Sequence, residues 1–370
     1  MPTADELIGR RVVADLVACV ARAAPGLDPA ALRACEQALG PLGFGERVDA
    51  VRDAVLADLP AAYRPFAKVV RAALRDDAFR GWMIWCVADA VAMRALEAPD
   101  GRDFDDGLAL LAELTPRHSA EAAIRRFLAF DLDRAVAIVL PWTAHPDEHV
   151  RRFASEGTRP RLPWARRVPE LTRQPDATLP ILDALHRDAS EYVRRSVANH
   201  LNDVSRARPD LATATAARWL GDTDSTDVAT ARLVRHALRT LVKQGDPGAL
   251  GLLGFGPPAD VTVDGPHLDA ESVAIGGTLR FAATLVNRDA RPARLAVDYV
   301  VHYQKANGTL APKVFKLTTR TLAPGERLEI ARTHAFRPLS TRRHHPGEHA
   351  LELQVNGRGF GRVAFALLAA

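Results

Sequence analysis

The sequence predicts an all-α HEAT-like solenoid followed by a small all-β immunoglobulin-like sandwich. Up to about residue 253 the apolar residues recur with the period of about 3.6 that marks amphipathic helices, and after a Gly/Pro-rich break at residues 254–258 they recur with a period of two. A helical motif also returns at intervals of roughly 40 residues, which is typical of HEAT-type solenoids. We expect a helical domain at residues 1–255 and a sandwich at residues 259–370.

The composition of the 370 residues is that of an ordinary folded protein, with 48% hydrophobic and 25% charged side chains. The net charge of +4 is carried almost wholly by arginine, since lysine occurs at only five positions. The planar guanidinium matches phosphate and carboxylate groups better than an ammonium does. Clusters of arginine are therefore informative where they coincide with a motif.

The sequence predicts neither secretion nor membrane insertion. The three cysteines, Cys19, Cys35 and Cys86, have the spacing of neither a disulfide framework nor a zinc site. Residues 1–11 lack the apolar segment of a signal peptide, and no run reaches the roughly 18 apolar residues of a membrane span. We expect a cytoplasmic protein that uses no metal ion and no cofactor.

Residues 5–94 predict four or five helices, separated by proline and glycine breaks. Trp82, Trp85, Cys86 and Asp89 follow the 3–4 spacing of one helix face. We interpret this stripe as core packing rather than as a cofactor site.

Residues 104–114 predict one more helix, and Ser119 is placed to cap the helix after it. Glu121 then falls in the first helical turn, where a carboxylate interacts favourably with the helix dipole. On this pattern alone, a structural role of Glu121 is favoured.

Residues 149–164 combine a carboxylate with several arginines and end on an aromatic residue. The first half has the apolar spacing of a helix, which Gly157 is expected to end. Pro160 and Pro163 prevent an early return to helix. We expect a stiff loop at residues 156–164, at a helix end where side chains can be aimed.

The motif Asp147-x-x-Val-Arg-Arg-Phe-Ala recurs 43 residues later as Ser190-x-x-Val-Arg-Arg-Ser-Val-Ala, and more weakly at residues 233–238. In the second copy Arg195, Asn199 and Asp203 share one polar helix face. Arg152 and Glu156 have the matching spacing in the first copy, which aligns Glu156 with Asn199. Adjacent repeats thus display carboxylates and arginines on the same ridge.

About seven short strands predict the sandwich, five of them clear at residues 272–286, 294–303, 314–321, 327–334 and 349–355. Between the last two lies a cationic loop at residues 338–347, with four polar or basic residues in succession: Ser340, Thr341, Arg342 and Arg343. Such a loop either grips a phosphate backbone or is a solvated hairpin tip. Its residues alone leave both readings open.

Two blocks carry a resemblance to a known family: Arg151-Arg-Phe-Ala-Ser-Glu-Gly-Thr-Arg-Pro-Arg-Leu-Pro-Trp164 and Asp188-Ala-Ser-Glu-Tyr-Val-Arg-Arg-Ser-Val-Ala-Asn-His-Leu-Asn-Asp203. Together they resemble the signature of the AlkC family of bacterial DNA alkylation repair glycosylases. The resemblance extends over most of the chain, because the helical array and the added sandwich are both similar to one AlkC subgroup. Around Glu121 the chain departs from the family pattern at Ala122 and Arg126.

The resemblance implies a monofunctional glycosylase of base excision repair that acts on double-stranded DNA. It implies removal of cationic N-methylated bases, 3-methyladenine and 3-methylcytosine, without a deep pocket for a flipped base. A monomer suits such a DNA clamp, and we expect no cofactor, no membrane and no obligate protein partner, with association with the nucleoid when the protein is bound to DNA.

By the same resemblance, Glu121, Glu156 and Asp203 would face the lesion as catalytic carboxylates, and Trp164 would lie beside the deoxyribose. The residues implied to bind DNA or to organise the carboxylates are Arg152, Arg159, Arg161, Arg194, Arg195, Asn199 and Asn202. The sandwich would clamp the DNA through Ser340, Thr341, Arg342 and Arg343.

A non-enzymatic HEAT-repeat scaffold that binds nucleic acid or protein is the alternative, because helical arrays of this kind are commonly interaction surfaces. Carboxylates are unfavourable beside phosphates, so their presence among arginines favours an enzyme over a simple clamp. No lysine is placed as a Schiff-base nucleophile, so we expect hydrolysis without strand cleavage.

Overall fold

The described residues of this computed structural model are 2–221, 227–256, 260–338 and 343–369. They divide into a first unit, Met1–Ala237, and a second unit, Leu238–Ala370. The expected domain boundary after residue 255 therefore falls inside the second unit, since the last two short helices pack with the strands that follow them.

The described part of the first unit is helical throughout. Its helices are α1 (Ala4–Leu7), α2 (Arg10–Ala23), α3 (Ala30–Ala38), α4 (Phe44–Asp58), α5 (Tyr63–Ala73), α6 (Trp82–Ala95), α7 (Phe104–Leu114), α8 (Ile124–Phe130), α9 (Leu132–Val139), α10 (Glu148–Gly157), α11 (Glu170–Arg173), α12 (Leu179–Leu185), α13 (Glu191–Val204), α14 (Pro209–Gly221) and α15 (Val228–Ala237). Short 3₁₀ helices lie at Leu140–Ala144 and Pro175–Thr178. None of the described helices combines the length and the apolar character that a membrane-spanning segment needs.

The sequence repeat corresponds to a row of stacked helices. Helix α13 packs against α10 on one side and α15 on the other, with α12 and α14 packed alongside. Each helix of the row buries one valine of the motif: Val150, Val193 and Val234 are at most 1% exposed. The motif recurs because each repeat buries its apolar face only against its neighbours.

The first arginine of the motif has the same structural role in two repeats. Arg151 donates through Nη1 to the carbonyls of His145 and Pro146, each at 2.9 Å. Arg194 donates in the same way to the carbonyls of Asp188 and Ala189. In both repeats this arginine braces the loop that leads into its own helix.

The predicted helix at residues 104–114 is confirmed as α7. The predicted N-cap at Ser119 is wrong, because residues 121–123 form a turn and α8 begins only at Ile124. The Ser119 hydroxyl instead donates to Glu121 Oε2 at 2.7 Å. Glu121 is thus held in front of the helix rather than within its first turn.

The second unit contains α16 (Arg239–Gln244), α17 (Pro247–Leu252) and a β-sandwich. Its strands are β1 (Val261–Leu268), β2 (Ser272–Ala274), β3 (Thr278–Asn287), β4 (Ala293–Gln304), β5 (Leu310–Leu322), β6 (Arg327–Ala335), β7 (Gly347–Val355) and β8 (Arg358–Leu368). One sheet has the order β1-β3-β6 and the other β2-β8-β7-β4-β5. Neighbouring strands are antiparallel except β2 and β8.

Alternation of buried and exposed residues forms the sandwich core. On β3, Leu279, Phe281, Ala283 and Leu285 are at most 4% exposed, while the residues that alternate with them are exposed or half-buried. The predicted strand at residues 272–286 is two strands, because the chain turns at Gly276, whose φ is +96°. The predicted immunoglobulin-like architecture is confirmed.

The two short helices are anchored to the sandwich by a close backbone approach. A Cβ built on Gly245, just after α16, would lie 2.7 Å from backbone atoms of Gly357 in the β7–β8 turn. Gln354 Nε2 also donates to the Lys243 carbonyl at 3.2 Å. These contacts place α16 and α17 in the second unit rather than in the helical array.

Candidate active site

Five charged side chains alternate in sign through the first unit, and we call them the ion-pair network: Glu121, Arg152, Glu156, Arg159 and Asp203. Arg152 Nη1 donates to Glu121 Oε2 at 2.7 Å, and Arg152 Nη2 lies 3.6 Å from Glu156 Oε1. Arg159 Nη1 donates to Glu156 Oε1 at 2.6 Å, and Arg159 Nε donates to Asp203 Oδ2 at 2.9 Å. Each arginine thus joins two carboxylates.

Stacking of α10 on α13 brings these residues together. Arg152 and Glu156 are one helical turn apart on α10, Arg159 follows the end of that helix, and Asp203 lies in the last turn of α13. Glu156, Arg159 and Asp203 are only 5%, 8% and 6% exposed. Buried charges are tolerated only when they are paired and hydrogen-bonded, which this arrangement achieves.

Further donors hold the carboxylates of Glu156 and Asp203 in place. Ser196 Oγ on α13 donates to Glu156 Oε2 at 2.6 Å and lies 3.1 Å from Ser155 Oγ. The Arg161 backbone N–H donates to Asp203 Oδ2 at 3.3 Å. The carboxylates are therefore preorganised before any ligand binds.

Burial and pairing act in opposite directions on the titration of the network. Burial raises the pKa of the Asp203 carboxyl, and its contacts with Arg159 only partly oppose this. For Arg159, burial lowers the pKa, but Glu156 and Asp203 outweigh it and the net shift is upward. The arginines hence stay charged, while Asp203 holds its proton to higher pH than an exposed aspartate does.

The network borders a cleft with a volume of about 520 Å³. Its lining residues are Trp82, Trp85, Thr115, Pro116, Arg117, His118, Ser119, Glu121, His149, Arg152, Glu156, Pro163, Trp164 and Tyr192. Glu121, Glu156 and Trp164 thus line the same cleft. Asp203 and Arg159 are not among the lining residues, so they contact this cleft only through Glu156.

Trp164 is held in an unusual backbone conformation at the edge of this cleft. Its φ is +61°, a left-handed value that residues with a Cβ rarely adopt, and its side chain is 64% exposed. Its ring centroid lies 5.6 Å from that of Phe44. The loop between Pro160 and Pro163 therefore directs a large aromatic surface toward solvent.

The stripe on α6 is partly core and partly cleft wall. Cys86 and Trp85 are buried, at 0% and 8% exposed, and Trp82 and Trp85 both line the cleft. The Trp82 ring lies 5.6 Å from Phe44, 5.7 Å from Trp85 and 4.7 Å from His118. Helical spacing does not distinguish a core residue from a cleft residue, because the first turn of a helix can border open space at the helix end while the later turns are buried.

Tyr192 is a cleft residue that the motif analysis missed. The Arg152 guanidinium carbon lies 4.9 Å from the centroid of its ring, and His149 meets the ring edge-on at 5.7 Å. The repeat offset aligns His149 with Tyr192, so the sequence contained a signal for this pair. His118 was missed too; burial lowers its pKa, which keeps the imidazole uncharged at neutral pH.

The arginines that were expected to bind DNA differ in their contacts and exposure. Arg152 and Arg159 are occupied by the network, whereas Arg161 and Arg195 are exposed. Arg194 braces a loop through backbone carbonyls.

The remaining residues expected to bind DNA also differ in their exposure. Asn202 is 2% exposed, so the prediction that its side chain contacts DNA conflicts with its burial. Asn199 is half-buried and bonds His236. Arg343 is exposed, and Ser340, Thr341 and Arg342 lie outside the described residues.

Comparisons with known proteins extend over both units. Residues 262–369 match a family model described as the C-terminal Ig-like domain of the uncharacterised protein YhaZ. Over 254 residues, 69% of this chain and 70% of the relative, the sequence is 37% identical to the uncharacterized protein YhaZ of Bacillus subtilis (strain 168). The structure matches the alkylpurine DNA glycosylase AlkC of Pseudomonas fluorescens, solved bound to DNA containing an abasic site analog, with a TM-score of 0.86 and 33% identity over 99% of both chains.

Proposed function

This chain belongs to the AlkC family, in its YhaZ-type group with a C-terminal Ig-like domain, and from this premise we propose that it is a DNA glycosylase that removes alkylated bases from double-stranded DNA. The substrates are cationic N-methylated bases, 3-methyladenine and 3-methylcytosine, in base excision repair. The observation that carries the proposal is the ion-pair network, whose Glu121 and Glu156 border the same cleft as Trp164.

The chemistry requires negative charge near the sugar rather than a strong acid near the base. A base methylated at a ring nitrogen already carries positive charge, so it leaves as a neutral base when the C1′–N bond breaks and takes the bonding electron pair. The sugar is left as an oxocarbenium-like cation. Preorganised carboxylates stabilise such a cation, and one fixed electrostatic group contributes about 3–4 kcal/mol in comparable sites.

Water completes the reaction. Its oxygen bonds to C1′, and its proton passes to a cleft carboxylate and then to solvent. We assign Glu121 and Glu156 to the sugar, and Asp203 to the positioning of Arg159 and through it Glu156, because Asp203 does not line the cleft. The Trp164 ring lies beside the reacting nucleotide, where attraction between its face and a cation contributes about 1–2 kcal/mol.

The proposed reaction is hydrolysis alone. Within the described residues no lysine lines the cleft, so no amine is placed to form a Schiff base with C1′. We therefore expect an abasic site as product and no strand break. The cleft receives the sugar and the edge of the lesion, without a deep pocket for a flipped base.

The test measures release of methylated bases from an alkylated duplex by the full chain. Glu156→Gln and Asp203→Asn should each lower the excision rate by about 10²–10³ while binding to DNA persists. Asp188→Asn is the matched control, since Asp188 has the same low exposure and also pairs with an arginine, Arg151 at 2.7 Å. Its excision rate should stay near that of the wild type.

Two results would contradict the proposal. One is full activity in both carboxylate variants, and the other is strand nicking at neutral pH without heat or base. Equal affinity for damaged and undamaged DNA, with no base released, would favour the scaffold alternative instead.

A further inference from the structure

Arg125 on α8 carries a buried guanidinium that lies outside the ion-pair network. The residue is 0% exposed, and its hydrogen bonds go to backbone carbonyls alone. None of the ion pairs among the described residues includes it, and its Nη2 is buried without a hydrogen-bond partner. Burial, followed by the nearby charge of Arg167, lowers its pKa to about 10, so the group is still charged at neutral pH.

Stability alone does not account for Arg125, because a buried charge without a carboxylate partner is costly. Arg94 on α6 shows the difference. Its Nε is also buried without a partner, and it donates to the Leu56 carbonyl at 2.8 Å, but it forms an ion pair with Glu97 at 2.8 Å. Arg125 has the carbonyl bonds and lacks the carboxylate. Its role therefore depends on the segment that it contacts.

Arg125 contacts both arms of the loop between α10 and α11, residues 158–169, which we call the Trp164 loop. Its Nη1 donates to the Arg159 carbonyl at 2.7 Å, near the start of the loop. Its Nε donates to the Arg166 carbonyl at 2.6 Å, two residues beyond Trp164. One side chain thus ties the two arms to α8.

Close packing of α8 on the end of α10 brings the guanidinium within reach of this loop. A Cβ built on Gly157, the last residue of α10, would lie 2.8 Å from Ile124 Cγ2. Arg125 follows Ile124 and also donates through Nη1 to the Gly157 carbonyl at 3.3 Å. Packing and hydrogen bonds together therefore fix the position of the loop relative to α8.

The residues that the loop carries require a fixed backbone. Trp164 has a left-handed φ of +61°, and such a conformation persists only where the surroundings hold it. Arg159 on the same loop joins Glu156 to Asp203 through its side chain. The bonds from Arg125 lie on both sides of Trp164, so they oppose relaxation of the backbone between them.

We propose that Arg125 is a positioning residue of the active site, which holds the Trp164 loop so that Trp164 faces the cleft and Arg159 meets its carboxylates. This role rests on the proposed function, because it serves the reaction in the cleft. The guanidinium is planar and its donors point in different directions, whereas lysine has one ammonium on a flexible stem. Lysine at position 125 would keep the charge but would not bond both arms of the loop.

The first test separates kcat from KM for the release of methylated bases by the full chain. Arg125→Lys should lower kcat about 10- to 100-fold, because small displacements of positioned groups cause losses of this size. KM and the affinity for an undamaged duplex should stay near the wild-type values, since Arg125 is buried away from any ligand. Arg94→Lys is the matched control, because Arg94 lies at the opposite end of α6 from Trp82. It should lower thermal stability and leave kcat unchanged.

The second test needs no catalysis. The protein is labelled with 5-fluorotryptophan at its five tryptophans, and the ¹⁹F resonance of Trp164 is identified by its loss in Trp164→Phe. This resonance should shift or broaden in Arg125→Lys, because the loop is released from α8. It should stay in place in Arg94→Lys, and the resonance of Trp219 on α14 should stay in place in both variants.

A double substitution tests whether Arg125 acts through the loop. Arg125→Lys should reduce kcat by a smaller factor in the Trp164→Ala background than in the wild type, because both changes disturb the same segment. An undiminished factor would overturn the proposal. So would an unchanged Trp164 resonance in Arg125→Lys, or equal losses of kcat in Arg125→Lys and Arg94→Lys. A chain that released no methylated base would refute the proposed function, while the resonance of Trp164 would still show whether Arg125 holds the loop.

Discussion

Ser196 on α13 donates its hydroxyl proton to Glu156 on α10 across 2.6 Å. This bond joins two repeats at the carboxylate we assign to the sugar. Hydrogen bonds to charged groups contribute about 1.5–3 kcal/mol, and neutral ones about 0.5–1.5 kcal/mol. Ser196→Ala should therefore lower the free energy of unfolding by about 1.5–3 kcal/mol, and it should also slow base release.

Ser155→Ala is the control for Ser196→Ala, because Ser155 is equally buried and its hydroxyl meets only the Ser196 hydroxyl among the described contacts. Its cost should be about 0.5–1.5 kcal/mol in the same denaturant titration. An equal cost for the two substitutions would contradict a charged hydrogen bond to Glu156.

The raised pKa of Asp203 predicts how stability depends on pH. The folded protein holds this proton above the ordinary carboxyl pKa of 3.8, where the unfolded chain has lost it. The contribution of this proton to the free energy of unfolding is fully present below pH 3.8 and is lost as the pH rises through the raised pKa of Asp203. The free energy of unfolding of the wild type relative to Asp203→Asn should decline over this window, as measured by urea unfolding at a series of pH values.

The rate of base release should instead rise with pH as Asp203 loses its proton. Arg159 is held by a charged Asp203, so the acidic limb of the rate should lie above pH 3.8. A relative stability that rises with pH across this window would show that burial does not dominate at Asp203.

The left-handed backbone at Trp164 predicts a difference between two truncations. Glycine adopts this conformation freely, whereas a residue with a Cβ pays about 1 kcal/mol or more. Trp164→Gly should thus be about 1 kcal/mol more stable than Trp164→Ala. Both should lose the ring contribution and release bases about 5- to 30-fold more slowly. Equal thermal stability of the two variants would argue against strain at this position.

Arg343 in the second unit predicts a DNA contact from the sandwich. It is exposed and lines a pocket of about 220 Å³ with Lys305, Lys313 and His345. Arg343→Ala should weaken duplex binding and lower the salt slope by about 1. Arg362→Ala, an exposed change on β8 outside this pocket, is the control. A slope unaffected by Arg343→Ala would leave the loop as a solvated hairpin tip.

The fold was largely predictable because periodicity reports which faces are buried. The helix at residues 104–114 and the change to strands after residue 254 follow directly from apolar spacing. Ser119 shows the limit of such reasoning. Its pattern fits an N-cap, but a hydrogen bond to Glu121 and an intervening turn replace the cap. The local pattern does not show which hydrogen-bond partner the Ser119 hydroxyl takes.

The site was predictable to the extent that the motif repeats. The offset between the two motif copies brings Glu156 and Asp203 onto neighbouring helices, and Arg159 joins them. The aromatic side of the cleft was not predictable, because Trp82 and Trp85 share helical spacing with the buried core. The bracing role of Arg194 was not predictable either, since only the structure shows its guanidinium turned back onto the preceding loop.

The meeting of Gly245 and Gly357 also determines where this protein can be divided. The family model starts at residue 262, but a fragment cut there would lose the helix whose end rests on the β7–β8 turn. Any side chain larger than hydrogen at either glycine would wedge that helix away from the strands. A recombinant C-terminal fragment should therefore begin at Leu238. Sequences with a bulky residue at position 245 or 357 should have weaker packing between the helix and the sheet.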